Sequence, residues 1–198
     1  MAPLVTFEGS EGAGKSTQAA LLRDALGHDA SLLVREPGGT PLGEEIRQLL
    51  LHSAPMAAEA EMLLFMAARA ELLDKVVRPA LAAGRTVIAD RYHDSTLAYQ
   101  GGGRGCATWW PESFPRPDLT FLLQLPPELG LHRALGPGRE PDRLEREDAA
   151  FHARVVGAYE DLARREPGRF RRLDATLPQE AIHQAVLATV RELSVSAR

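Results

Sequence analysis

Residues 4–22 read LVTFEGSEGAGKSTQAALL, an apolar run that breaks into a glycine-rich loop and closes on Lys15-Ser16 before a helix-forming stretch. Within it, GSEGAGKS, Gly9 to Ser16, has the spacing of a phosphate-binding loop, two glycines five apart followed by Lys-Ser. Glycines let several backbone N–H groups point at one phosphate, and the helix that begins there adds the positive end of its dipole. Gly9, Ser10, Glu11, Gly12, Ala13, Gly14 and Thr17 form the cradle and its exit. Lys15 supplies a compact charge for the β- and γ-phosphates, and Ser16 an oxygen ligand for Mg²⁺. A strand, this loop and a helix in succession imply a parallel sheet with its ligands at the carboxyl edge.

The rest of the chain agrees. Strands are expected at residues 3–8, 31–35, 86–90, 119–125 and 170–174, and helices near 15–26, 42–52, 57–83, 93–100, 127–135, 142–165 and 178–193. Thr40-Pro41 is a cap followed by a first-turn proline, and TLPQ from Thr176 has capping-box spacing. The alternation predicts an α/β fold with a parallel sheet covered on both faces. The chain has 198 residues, enough for one domain. A net charge of -4 argues against a nucleic-acid binder. Cys106 is the sole cysteine, so no internal disulfide can form and a reducing cytoplasm is the simplest setting. Glu8 and Glu11 interrupt any signal-peptide pattern, and the charges within 57–83 exclude a membrane span there. Asparagine is absent and lysine occurs only at Lys15 and Lys75, which fits either a thermostable protein or a GC-rich coding bias.

TVIAD, ending at Asp90, offers a second carboxylate at the ligand edge, placed to hold a Mg²⁺-bound water. Neighbouring strand side chains point to opposite faces, so Arg91 joins the same site only if the strand ends at Asp90. Guanine recognition through Asn-Lys-x-Asp is impossible without asparagine, and the chain is short for a motor, which leaves a small kinase with a small-molecule acceptor. Phe65 and Arg69 share one helix face, and Thr96, Tyr99 and Gln100 another: an aromatic to stack, an arginine and a hydroxyl–amide cluster suited to a nucleobase. A kinase for another acceptor and a non-catalytic ATP sensor are the rival readings, and a sensor has no need of a pocket with several arginines.

FEGSEGAGKST, REPGGTPLGEEIR, AEMLLFMAARAELL, DRYHDSTLAYQGGGRG, PDLTFLL and DRLERED together closely resemble the bacterial thymidylate kinases, from about residue 3 to 193. The resemblance implies a five-stranded parallel sheet in the order 2-3-1-4-5, a single P-loop kinase domain over residues 1–198 with a lid near 134–146, and a homodimer. It also implies transfer of the γ-phosphoryl of ATP to dTMP with Mg²⁺. Carried over by motif, the loop binds ATP while Glu11 faces the acceptor. Arg35, Glu36, Arg47 and Arg91 hold the dTMP phosphate and sugar. Phe65 stacks on thymine and Arg69 approaches its O4. Thr96 and Gln100 contact the base, and Tyr99 lies against the sugar. Ser16 and Asp90 serve the metal, and adenine lies near Arg143 and the loop after Asp174. With no basic residue at Ser10-Glu11, the cation for the transition state must come from the lid, HRALGPGREPDR, which carries Arg133, Arg139 and Arg143; Arg139 is preferred. Only Cys106 to Arg116 lie between GGGRG and PDLT, so the helix that the family usually has there is expected to be reduced or lost, with the tryptophans covering a core edge. The arginines of RREPGRFRR are expected on a solvated face.

Overall fold

The structure is a computed structural model that describes residues 2–134 and 140–196. Five strands, β1 (Leu4–Gly9), β2 (Ser31–Arg35), β3 (Thr86–Asp90), β4 (Leu119–Gln124) and β5 (Phe170–Asp174), form one parallel sheet in the order β2-β3-β1-β4-β5. The strand positions and the sheet order are as the sequence led us to expect. The helices are α1 (Lys15–Leu26), α2 (Pro41–His52), α3 (Ala58–Leu72), α4 (Arg78–Ala82), α5 (His93–Thr96), α6 (Pro127–Ala134), α7 (Ala149–Arg165) and α8 (Gln179–Ser196).

Alternation along β1 explains the two layers. Val5 and Phe7 face α1 and α8, where Phe7 stacks on Phe121 with ring centroids 5.1 Å apart among Leu22, Val186 and Val190. The opposite face packs Leu4, Val87 and Ala89 against Leu72, Leu73 and Phe114, and Leu122 against Phe151, Val155 and Tyr159. This second face also carries a buried polar row, Thr6, Glu8 and Thr120, in which the Thr6 hydroxyl donates to Thr120 at 2.9 Å.

Several local expectations change. The expected 57–83 helix is broken by π-helical turns at Leu73–Val77, just before Pro79, whose ring cannot continue a regular helix. The 93–100 helix likewise becomes α5 plus π-helical turns over Leu97–Gly103. The expected 142–165 helix begins only at Ala149, because the Asp148 carboxylate accepts from the Phe151 amide as an N-cap. Thr40 caps α2 as expected, accepting from Gly43, but no capping box forms at Thr176. Its hydroxyl instead donates to Asp174 at 2.6 Å, and α8 starts at Gln179. No helix forms over 106–116, where Trp110 packs on Tyr92 and His93 and covers a core edge. The arginine run is not uniformly solvated: Arg169 is buried, donating to both oxygens of Asp94 at 2.7 and 2.8 Å and so tying α5 to the start of β5. No described helix is long and apolar enough to cross a membrane.

Candidate active site at the carboxyl edge of the sheet

The register of the sheet assembles the site. Arg35 of β2 and Phe7 of β1 both pair with Asp90 of β3, and Gly9 pairs with Leu123 of β4, so one edge presents the phosphate loop, Asp90 and Arg35 together. A cavity of about 460 Å³ opens along this edge. Its floor is Gly12, Gly14, Lys15, Ser16 and Thr17 of the loop and α1.

The loop is held by close backbone contacts. A Cβ on Gly12, whose φ is +67, would lie 2.0 Å from the Gly130 carbonyl oxygen, and one on Gly130 would lie 2.2 Å from that of Glu11. Only glycines let α6 seat against the loop this closely. Gly9, Ser10 and Ala13 do not line the cavity; they form the back of the cradle, with Ala13 in the core. The Lys15 ammonium is buried and donates to the Ser10 carbonyl at 2.6 Å. Burial, with Arg91 adding like charge, pushes its pKa down to about 8, although Glu11, Asp90 and Glu8 pull it back.

β3 ends at Asp90, and Arg91 adopts φ 70, the only positive φ on a non-glycine residue among those described. That turn puts both side chains on the cavity. The Ser16 hydroxyl donates to the Asp90 carboxylate, which places two hard oxygens side by side. Arg91 donates to Glu11 at 2.6 Å and to the Gly9 carbonyl at 3.3 Å, with its guanidinium 5.2 Å from the Tyr99 ring centroid. Tyr99 also donates to Glu11, at 3.0 Å. Burial alone would raise Glu11; Arg91, Lys15 and the Tyr99 hydroxyl outweigh it and hold the carboxylate at about 2.

The mouth is cationic. Arg35 and Arg47 both donate to the Pro37 carbonyl, at 3.1 and 3.0 Å, and Glu44 grips Arg35 through both oxygens at 2.9 Å. Phe65, Thr96, Tyr99 and Gln100 line the far wall, with Glu36 at its base. Arg133 lines the loop end and donates to the Ala175 carbonyl at 3.0 Å. Leu51, Ser95, Asp142, Leu144 and Glu145 also line the cavity, although no motif or spacing singles them out.

Two expected residues are not brought to it. Arg69 is buried: Nε donates to Glu36 at 2.6 Å, Nη1 to Thr96 at 2.9 Å, and Nη2 to the Tyr92 carbonyl at 3.0 Å. It holds two wall residues and does not itself form the wall. His93, whose pKa burial and Arg69 push down to about 3, is neutral beside it and accepts through Nδ1. Arg143 turns away from the nucleotide side, to the Leu50 carbonyl and the buried carboxylate of Glu61. Arg139 lies outside the described residues.

Behind the loop, Glu8 is fully buried and accepts from the Tyr92 amide at 2.8 Å, the Ser95 hydroxyl at 2.6 Å and the Tyr159 hydroxyl at 2.9 Å. It fixes the turn that carries Arg91. Burial, reinforced by Asp94, lifts its pKa to about 7 against these donors and Arg91. A folded-state pKa above the unfolded value means that the folded chain holds more protons between about pH 4.5 and 7. The contribution of Glu8 to stability is therefore full below that window and is lost as the pH rises through about 7. Glu8→Gln keeps the shape, because both hydroxyls can rotate to accept. The melting temperature of wild type relative to Glu8→Gln should fall between pH 5 and pH 8, by the equivalent of a few kcal/mol at most. A constant difference across that range would mean that Glu8 does not titrate there.

Comparison with known proteins agrees with this geometry. The thymidylate kinase family model matches residues 7–186. The chain is 51% identical to the thymidylate kinase of Thermomicrobium roseum over 202 residues, covering 98% of this chain and 96% of that one. It is 50% identical to that of Pseudomonas putida over 195 residues, covering 92% and 93%. The crystal structure of thymidylate kinase from Ehrlichia chaffeensis superposes with a TM-score of 0.75 at 29% identity, covering 96% of this chain and 98% of that one. With the phosphate loop, sheet order and cationic mouth in place, the chain belongs to the thymidylate kinase family.

Proposed function

We propose that the protein transfers the γ-phosphoryl group of ATP to dTMP, giving dTDP and ADP, as a single P-loop kinase unit with a lid over residues 134–146. The observation that carries this reading is that Glu11, a residue of the phosphate loop, accepts from both Arg91 and Tyr99, which line the same cavity. ATP lies along the loop, with adenine toward Arg133 and Ala175, where the Arg133–Ala175 bond already joins α6 to the segment after β5. The dTMP phosphate faces Arg35, Arg47 and Arg91, and thymine lies against Phe65 with Thr96 and Gln100 at its polar edge. Arg69 serves by fixing Glu36 and Thr96.

Lys15 neutralises the β- and γ-phosphates, and Arg91 spans donor and acceptor where charge develops on the transferred group. No general base is needed, because the acceptor phosphate oxygen is already anionic. The donor set fits Mg²⁺: Ser16 and Asp90 offer two hard oxygens in contact, and no group of three or more His, Cys, Asp or Glu surrounds a metal position among the described residues. Ser16 and Asp90 would hold the ion, which would supply charge neutralisation at the phosphates when bound. We assign the remaining lid cation to Arg139. The exposed leucines Leu42 and Leu49, seven apart on α2, with Leu63 on α3, favour a homodimer through these helices. A cytoplasmic setting follows from nucleotide chemistry of this kind.

An acceptor panel tests the reading. We expect kcat/KM in the order dTMP, then dUMP, with dCMP and UMP very poor. The C5 methyl is worth about 1–3 kcal/mol of apolar contact, whereas mismatched polar edges discriminate by roughly 10⁴-fold. The 2′-hydroxyl of UMP meets Tyr99, so Tyr99→Ala should relax its exclusion while Tyr99→Phe retains most of it. Use of UMP or dCMP as readily as dTMP by wild type overturns the thymidylate assignment. In the same assay Arg139→Ala should lower kcat well beyond any change in KM for dTMP, and an unchanged kcat removes it from the lid's role.

A further inference from the structure

Glu61 is a buried carboxylate that the mechanism above leaves unused. It sits on α3, fully buried, one turn before Phe65. Its Oε1 accepts from the Gln100 side-chain amide at 2.7 Å and from Arg104 Nε at 3.2 Å; its Oε2 accepts from Arg104 Nη2 at 3.0 Å and from Arg143 Nη1 at 2.5 Å. Burial alone would raise its pKa, but the donors from Arg104, Gln100 and Arg143 prevail and lower it, so Glu61 is ionised.

That charge has a consequence for Gln100. An ionised carboxylate only accepts hydrogen bonds, whereas a glutamine amide has one donating and one accepting side. The side of Gln100 that meets Glu61 must be NH₂, which turns its carbonyl oxygen the other way. Gln100 lines the cavity wall beside Thr96 and Tyr99. A thymine or uracil ring carries an N3–H donor at its pairing edge; cytosine carries a bare N3 acceptor and an amine at C4. An amide free to flip would serve both.

We propose that Glu61 is a specificity-determining positioning residue: by locking the Gln100 amide, it makes the cavity present an acceptor to the base and so selects N3–H pyrimidines over cytosine. This rests on the reading of the cavity as the acceptor-nucleotide site. Arg104 and Arg143 act through the same carboxylate, holding it ionised and aimed.

The test compares kcat/KM for dTMP and dCMP, at saturating ATP, in wild type, Glu61→Gln and Glu61→Asp, with melting curves on each. Glu61→Gln presents either a donor or an acceptor to Gln100 and frees the flip. Glu61→Asp keeps the charge for both arginines but withdraws the carboxylate by one methylene. We expect the dCMP-to-dTMP ratio to rise about 10–100-fold in Glu61→Gln and by a smaller factor in Glu61→Asp, chiefly through loss of dTMP efficiency. A carboxylate that merely braces the fold would lower both substrates in proportion; an unchanged ratio in the folded variants overturns the proposal. Should Glu61→Gln fail to fold, the ratio in Glu61→Asp decides. A wild type without preference for dTMP would instead overturn the acceptor assignment, an outcome read before any variant is made.

Discussion

Replacing Lys15 with alanine is expected to reduce kcat by roughly 10³-fold or more while leaving the circular dichroism spectrum unchanged. The ammonium is buried at the head of α1, and the other nearby cation, Arg91, is committed to Glu11 and the Gly9 carbonyl. Nothing else on the cavity floor can take over its charge. Lys15 is also uncomfortable where it is: burial and Arg91 lower its pKa to about 8, so the unliganded site gains no stability from it. The variant should therefore melt no lower than wild type. Near-normal kcat in a folded Lys15→Ala protein would remove the phosphate-loop assignment, and a large drop in melting temperature would show that the lysine is structural.

The second large effect is expected at Arg91, where activity and stability should separate. Arg91→Ala and Arg91→Gly should each lower kcat by about 10²–10³-fold, since both remove the guanidinium between Glu11 and the loop. Both leave the partly buried Glu11 without its nearest cation, a shared loss. They differ in the backbone. At φ 70 an alanine keeps the left-handed strain and a glycine does not, so the glycine variant should be more stable by about 1 kcal/mol. Denaturant titration of the pair reads this difference directly. Equal stabilities would mean that the turn relaxes once the side chain is gone, and retained kcat would exclude Arg91 from the reaction.

What the sequence disclosed and what it hid follow from the range of the interactions. The loop, the strand ending at Asp90 and the Thr40 cap depend on residues a few positions apart, so spacing was enough to place them. The sheet order and the acceptor wall came through resemblance, because pairing of β1 with both β3 and β4 is not written in any one segment. Arg169 is indistinguishable by local pattern from the exposed Arg164 five residues earlier; Asp94, Thr120 and Trp110, all distant in sequence, enclose it. Arg143 was misplaced for the same reason, its partners Leu50 and Glu61 lying far back in the chain. Glu8 did leave a signal. It follows Thr6 at the strand period, alternating with apolar Val5 and Phe7, and a charge on a strand buried on both faces calls for partners. The π-helical turns carrying Tyr99 and Gln100 left none, since Thr96, Tyr99 and Gln100 share a face in either helix form.

The left-handed turn at Arg91 also sets a rule of parity for this edge of the sheet. An extended strand sends alternate side chains to opposite faces, so two consecutive residues can serve one site only if the backbone between them abandons the strand. Inserting one residue between Asp90 and Arg91 would restore alternation and abolish the strained φ, yet carry the guanidinium roughly 3.3 Å along the chain. Its bonds to Glu11 at 2.6 Å and to Gly9 at 3.3 Å would both be out of reach. Length, as well as identity, is therefore under constraint here: in this protein a single insertion or deletion at the junction after β3 should damage activity as much as loss of the Arg91 guanidinium itself.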